Sequence, residues 1–73
     1  MNESELIRLI AQISEKQVED ISMESALEEL GWDSLATLTF LAKAEQVLGF
    51  TVDADSLSAA QTVRDIFNLI SNV

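Results

Sequence analysis

The sequence predicts an all-α fold, a small four-helix bundle made of three long helices and one short helix. Two observations support this. The 73 residues include no proline and only two glycines, and such a composition favours helices over turn-rich β folds. Apolar residues also recur at helical spacing in three segments, each preceded by a residue type that caps helices. A chain of this length forms one domain, so we expect residues 1–73 to act as a single unit.

The first predicted helix covers residues 3–14. Asn2 is a suitable N-cap, and Glu5, three positions later, completes the pattern of a capping box. The apolar stripe that would face a core consists of Leu6, Ile10 and Ile13.

Residues 15–33 have no long helical period, yet they contain many apolar side chains. We therefore expect this segment to be held against a core. The stretch "MESALEEL" is expected to form a turn or two of helix. Gly31 follows it and would end the helix, because glycine adopts the left-handed C-cap conformation at little cost.

The second long helix is predicted over residues 34–48, between an N-cap at Asp33 and a C-cap at Gly49. Its sequence gives a broad apolar surface formed by Leu35, Leu38, Phe40, Leu41, Ala44, Val47 and Leu48.

The last part of the chain predicts one short and one long helix. Residues 50–60 contain a connector and a short helix capped by Asp53 or Asp55. The final helix is predicted over residues 62–72, with Thr62 as its cap. Its apolar face, at positions i, i+3, i+4 and i+7, consists of Val63, Ile66, Phe67 and Ile70.

The charge of the chain restricts its partners. Thirteen acidic and four basic residues give a net charge of −9, which argues against binding to nucleic acid or to anionic membranes. The acidity indicates either that the chain binds a basic partner surface or that the charge serves only to keep it in solution. Residues 1–33 contain nine of the acids. No apolar run approaches the roughly 20 residues of a membrane span, and the acidic N-terminus is unlike a signal peptide, so we expect a cytoplasmic protein.

Catalytic and metal sites find little support in the sequence. The chain has no His and no Cys, which excludes a Ser-His-Asp triad and a zinc site of the usual ligands. The stretch "DADSLSAAQTVR" begins like a calcium loop, but Ser58 and Arg64 occupy the positions that need Gly and Glu. Glu28 and Glu29 are adjacent, so on a helix they would point in different directions and form a solvated face. No catalytic residue and no metal ligand is predicted.

Ser34, in the stretch "LGWDSLATL", invites a different interpretation. If Ser34 were a catalytic nucleophile, its base would have to be a lysine, Lys16 or Lys43, held close by and desolvated. Lys43 lies more than two turns further along the same helix and is out of reach. Next to the cap Asp33, however, Ser34 would be exposed at a helix N-terminus, where an attached anion is favoured. The residues alone leave two hypotheses open: a substrate serine for another enzyme, or a plain secondary cap.

The stretch "LGWDSLATLTFLAKAEQVLGF" resembles the signature of acyl carrier proteins and peptidyl carrier domains, in which Leu-Gly, a variable residue and Asp-Ser-Leu open the second helix. The stretches "ISMESALEELG", "GFTVDADSL" and "QTVRDIFNLI" are similar to the family's first loop, its third-helix link and its last helix. The resemblance spans the chain and implies an acyl-carrier-like helical bundle.

The same resemblance implies that Ser34 carries 4′-phosphopantetheine, transferred from coenzyme A by a phosphopantetheinyl transferase, with Asp33 as the helix cap beside it. Acyl or aminoacyl groups would then be held as thioesters and presented to loading and downstream biosynthetic enzymes. The expected state is a monomer that performs no catalysis. Partner enzymes are expected to dock on a face made of Trp32, Leu35, Ala36, Leu38 and Thr39, with the acids Glu28 and Glu29 beside it.

One departure from the family bears on the pathway. Carriers of bacterial fatty acid synthesis usually show several acids along the second helix, but here Glu45 is the only one. Trp32 before the Asp also looks more like carriers of polyketide or nonribosomal peptide pathways. Two roles are open for its side chain: it covers the top of the bundle, or it contacts the arm or a partner. We expect a specialised pathway of this kind. The alternatives are a fatty-acid or D-alanyl carrier and, from another class, an unmodified acidic helical adaptor.

Overall fold

Four α-helices form the fold in the computed structural model, which describes residues 1–49 and 51–71. In chain order they are α1 (Glu3–Ser14), α2 (Ser34–Leu48), α3 (Ala54–Ala59) and α4 (Val63–Ser71). The prediction of an all-α bundle with three long helices and one short helix is confirmed. Two predicted positions, Phe50 in the connector and Asn72 at the end of the last helix, lie outside the described residues.

The predicted capping box of α1 is present. The backbone N–H of Glu5 donates to Asn2 Oδ1 at 2.8 Å, and the backbone N–H of Asn2 donates to Glu5 Oε1 at 2.9 Å. These reciprocal bonds satisfy two of the N–H groups that a helix start leaves unpaired. The helix therefore begins where the local sequence places it.

The cap of the short helix α3 is Asp53 and not Asp55. Asp53 Oδ2 accepts from the backbone N–H of Ser56 at 3.1 Å and from its hydroxyl at 2.6 Å. Together these bonds to Ser56 hold the pKa of Asp53 below its ordinary value, the hydroxyl being the stronger influence.

The start of α4 is organised by Thr62 and Asp65. The Thr62 hydroxyl oxygen accepts from the backbone N–H of Asp65 at 3.2 Å, as predicted for a cap. Asp65 Oδ2 accepts in turn from the backbone N–H groups of Gln61, at 3.0 Å, and Thr62, at 3.2 Å. These two bonds lower the pKa of Asp65.

All four helices and the long loop after α1 contribute to one apolar core. Its largest fully buried side chain is Phe40 of α2, and burial of a side chain of this size contributes roughly 1.5–3 kcal/mol. The other large side chains of this core that are fully buried come from α1, α3 and α4: Leu6, Ile10, Leu57, Val63 and Ile66.

The segment between α1 and α2 differs in detail from the expectation. It contains two 3₁₀ helices, Val18–Asp20 and Leu27–Leu30, where only the second was expected and as ordinary helix. Four of its apolar side chains are buried as predicted: Ile21, Met23, Leu27 and Leu30. Val18, by contrast, is 44% exposed, so the loop is held to the core mainly through its second half.

Candidate functional site

Ser34 is the first residue of α2, and its side chain is exposed. Asp33 precedes it in extended conformation, and Asp33 Oδ1 accepts from the backbone N–H of Ala36 at 2.9 Å. The cap predicted from the sequence is thus confirmed. Asp33 makes the capping bond, and the adjacent Ser34 is left on the surface.

The chain reaches Asp33 through a sharp change of direction at Gly31. This glycine has φ +70° and follows the 3₁₀ helix Leu27–Leu30 as its C-cap. A residue with a side chain is strained in this left-handed conformation. Gly31 therefore separates the acidic 3₁₀ helix from α2 and sets the direction in which α2 begins.

Trp32 lies between Gly31 and the cap and is half-buried. Its ring meets the ring of Phe40 edge to face, with centroids 6.2 Å apart and an interplanar angle of 64°. Its Nε1 atom is buried and makes no hydrogen bond to the described residues. Trp32 thus packs on the core as a cover but leaves one polar group unsatisfied.

A groove of about 850 Å³ opens beside Ser34. One wall consists of Trp32, Asp33 and α2 as far as Leu41, and the other wall combines Ala26–Glu28, α3 and the link into α4. The lining is mixed, with apolar side chains such as Leu38 and Leu41 and polar ones such as Thr37 and Gln61. The groove therefore offers both apolar contacts and hydrogen-bonding groups.

The far wall of the groove is fixed by backbone pairing that the sequence did not reveal. Ala26 and Thr62 form an isolated antiparallel bridge. Around it, the backbone N–H of Leu27 donates to the carbonyl of Gln61 at 2.9 Å, and that of Val63 donates to the carbonyl of Ser25 at 3.2 Å. Contacts of this kind depend on backbone groups, which every residue has, so no side-chain pattern announces them.

The outer face of α2 is unusually apolar. Leu35 is 71% exposed and Leu38 is 60% exposed, while Ala36 and Thr39 are half-buried. A shallow depression of about 460 Å³ continues along this face, lined by Leu38, Thr39, Ala42, Lys43 and Gln46. Large apolar side chains this accessible commonly mark a surface that contacts other proteins.

The structure brings some of the predicted site residues together and separates others. Five of them line the groove: Glu28, Trp32, Asp33, Ser34 and Leu38. Glu29 is exposed on the 3₁₀ helix, and Leu35, Ala36 and Thr39 are not part of the groove lining. The polar groove residues on the link into α4, Gln61 and Thr62, were missed because they lie 27 or more positions from Ser34 along the chain.

The site itself offers little catalytic chemistry. None of the described polar or charged residues is fully buried, so no general base is desolvated there. Across the described ranges no three His, Cys, Asp or Glu side chains are placed to share a metal ion. In the same part of the chain, every helix is too short or too polar to span a lipid bilayer. What the site does offer is an accessible hydroxyl at a helix N-terminus, next to a groove.

Known proteins are similar to this chain over most of its length. A family model described as "Phosphopantetheine attachment site" matches residues 4–70. An acyl carrier protein of Rickettsia bellii strain RML369-C is 33% identical over 69 residues, which cover 93% of this chain and 80% of that protein. An acyl carrier protein of Rickettsia bellii strain OSU 85-389 is 32% identical over 69 residues, covering 93% of this chain and 85% of the relative.

Proposed function

Because this chain belongs to the phosphopantetheine-binding family of acyl carrier proteins, we propose that Ser34 is the residue to which its 4′-phosphopantetheine is attached. Members of this family are carriers and not catalysts, and the arm is bound to them covalently. Their partners are a phosphopantetheinyl transferase and biosynthetic enzymes. We further propose that residues 1–73 act as one monomeric carrier domain in the cytoplasm.

The observation that carries this assignment is the position of Ser34. Its hydroxyl is exposed at the first position of a 15-residue helix, beside the Asp33 cap and at the edge of the groove. The first-turn N–H groups and the helix dipole favour a phosphate there. The site therefore fits the group: Ser34 would hold its phosphate end, and the groove is large enough for the rest of the arm.

The thiol of the arm supplies the chemistry that the protein lacks, since it holds acyl or aminoacyl groups as thioesters. The chain has no cysteine of its own. The residues around Ser34 therefore have to hold, expose and present the arm. An exposed serine next to a rigid helix cap meets that need, because a partner enzyme can reach the hydroxyl without unfolding the bundle.

We propose that partner enzymes dock on the face next to Ser34, formed by Trp32, Leu35, Ala36, Leu38 and Thr39, with Glu28 and Glu29 at its acidic edge. The exposure of Leu35 and Leu38 supports this. Lys43 and Glu45 are the only charged residues in α2. A partner would thus meet mainly apolar contacts on α2 and would place basic groups towards the 3₁₀ helix.

The pathway is proposed to be polyketide, nonribosomal peptide or related specialised biosynthesis. The support is the scarcity of acids on α2, where fatty-acid carriers usually have several, together with Trp32 before the Asp-Ser-Leu motif. The alternatives are a fatty-acid-synthesis acyl carrier and a dedicated aminoacyl or D-alanyl carrier. Holo protein incubated with acyl and with aminoacyl donors, each with its own loading enzyme, should retain one class of cargo in preference to the other.

Attachment is tested by mass spectrometry after incubation with coenzyme A and a promiscuous transferase. Wild type should gain the mass of one arm and Ser34→Ala should gain none. Ser58→Ala is the matched control, because Ser58 is also an exposed serine that lines the groove, and this variant should still gain the arm. A wild type that gains no mass with an active transferase would favour the unmodified adaptor.

Docking is tested with the same transferase as the partner. Leu35→Ser should lower kcat/KM for arm transfer by about 5- to 30-fold, the range expected for loss of a well-packed anchor residue. Val47→Ser is the control, because Val47 is 64% exposed near the other end of α2. Equal losses in the two variants would count against a docking face centred next to Ser34.

A further inference from the structure

The shallow depression on the outer face of α2 contains one positive charge among apolar side chains. The depression is lined by Leu38, Thr39, Ala42, Lys43 and Gln46. Lys43 is exposed. Across residues 1–49 and 51–71, both ion pairs involve Arg64, and Lys43 takes part in neither. In a chain with a net charge of −9, this ammonium group is thus left without an acidic partner of its own, beside an open apolar surface.

The depression is continuous with the site around Ser34. Leu38 lines both the depression and the groove beside Ser34. Lys43 follows Ser34 by nine residues, which corresponds to about 13.5 Å along the helix axis. The Thr39 hydroxyl donates to the carbonyl oxygen of Leu35 at 2.9 Å, so its hydrogen is already engaged by the helix. Lys43 is therefore the charged group that a partner meets on this side of the site.

The charge beside the docking face changes sign along its length. Glu28 and Glu29 lie on the 3₁₀ helix before Ser34, whereas Lys43 lies beyond it on α2. Glu45 is two residues further on, about 200° round the helix from Lys43, and does not line the depression. Complementary charges select the partner surface and set its orientation. A partner that fits the whole face therefore needs basic groups at one end and an acidic group at the other.

We propose that the depression is a second part of the docking face, which receives an apolar side chain of the enzyme that loads the cargo while a carboxylate of that enzyme pairs with Lys43. This rests on the proposed carrier function and docking face. The small side chain of Ala42 leaves room for the apolar anchor, and the exposed Leu38 provides a wall for it. The carboxylate and the basic groups opposite Glu28 and Glu29 would together fix the direction in which the carrier docks.

The test is the rate at which holo protein is loaded, with whichever of the acyl and aminoacyl loading enzymes charges wild type faster. Lys43→Glu should lower kcat/KM roughly 10-fold or more, mainly through KM, because a like charge would face the enzyme's carboxylate. Lys43→Arg keeps the charge and should stay within about 2-fold of wild type. Arg8→Glu is the matched control, because Arg8 is exposed on α1 and lines neither the groove nor the depression. The loss in Lys43→Glu should also diminish between about 0.05 and 0.5 M NaCl.

Ala42→Leu fills the depression and provides the second readout. It should lower kcat/KM about 5-fold or more, the effect of losing an interface anchor. Ala59→Leu should leave loading unchanged, because Ala59 is an exposed alanine of α3 outside the depression.

Loading that is unchanged or faster in Lys43→Glu, or lowered equally in Lys43→Glu and Arg8→Glu, would overturn the pairing with a carboxylate. Equal rates for Ala42→Leu and wild type would overturn the apolar anchor. Mass spectrometry should show the arm on each variant before loading. Absence of the arm from wild type would instead overturn the attachment at Ser34, and with it this assignment of the partner.

Discussion

Substitution of Asp33 tests how much its N-cap bond contributes to the stability of the fold and to the proposed transfer of the arm to Ser34. In Asp33→Ala the bond from the Ala36 N–H to Asp33 Oδ1, 2.9 Å long, is lost. Loss of an N-cap typically costs about 1 kcal/mol, within a range of about 0.5–2. A domain of 73 residues has a total stability of only about 4–11 kcal/mol. A single cap is therefore a measurable part of it.

In a domain of this size, 1 kcal/mol corresponds to a fall in Tm of roughly 4–8 °C. Asp33→Ala should show a fall in that range when unfolding is followed by circular dichroism at 222 nm. Asp33→Asn keeps an oxygen acceptor and loses only the charge that suits the helix dipole, worth about 0.3–1 kcal/mol. Its Tm should lie between those of wild type and Asp33→Ala.

Ser34→Ala is the internal control, because Ser34 is exposed and takes no part in the cap. Its Tm should match that of wild type, since exposed substitutions usually change stability by less than about 0.5 kcal/mol. Transfer of the arm, measured by mass spectrometry well below the Tm, should be slower in Asp33→Ala than in Asp33→Asn, because a frayed first turn no longer holds Ser34 in place. A Tm of Asp33→Ala equal to that of wild type, or equal falls for Asp33→Ala and Asp33→Asn, would refute this reasoning.

Three further outcomes are expected. Gly31→Ala should lower the free energy of unfolding by about 1–2 kcal/mol in urea titration. The cost comes from the left-handed φ of +70° and not from a clash, since an added Cβ would meet no atom within 4 Å. Gly31→Asn should lose less stability than Gly31→Ala, and no loss in either variant would contradict this prediction. Because its pKa is lowered in the folded protein, the Asp65 carboxylate stabilises the fold at pH values above its ordinary pKa of 3.8. This stabilisation is lost as the pH falls through the lowered pKa. The Tm difference between wild type and Asp65→Asn should accordingly shrink on acidification, and a constant difference would contradict this role of Asp65. With a net charge of −9, Tm should rise between about 0.01 M and 0.15 M NaCl as the Debye length falls to about 8 Å; a flat or falling Tm would show that self-repulsion does not loosen the bundle.

The sequence was sufficient for the helix boundaries because these depend on interactions within one turn of the chain. The capping box of Asn2, the cap of Asp33 and the C-cap glycines Gly31 and Gly49 join residues no more than four positions apart. Only at α3 did the sequence leave two candidates for the N-cap, Asp53 and Asp55. The exposed position of Ser34 followed from the same local rules, whereas the prediction that it carries the arm came from the resemblance to a known family.

Tertiary structure decided which apolar residues of α2 are hidden and which remain available. α2 is apolar on most of its circumference, and its sequence does not show that Phe40 and Ala44 are buried while Leu35 and Leu38 stay exposed. That choice depends on where the other helices pack. The groove likewise arises from segments far apart in the chain, such as Ala26 and Thr62. The sequence by itself determined the four helices, most of their caps and the position of Ser34 at a helix start, because these depend on near neighbours; the exposed apolar face of α2 and the groove depend on long-range contacts that only the folded chain defines.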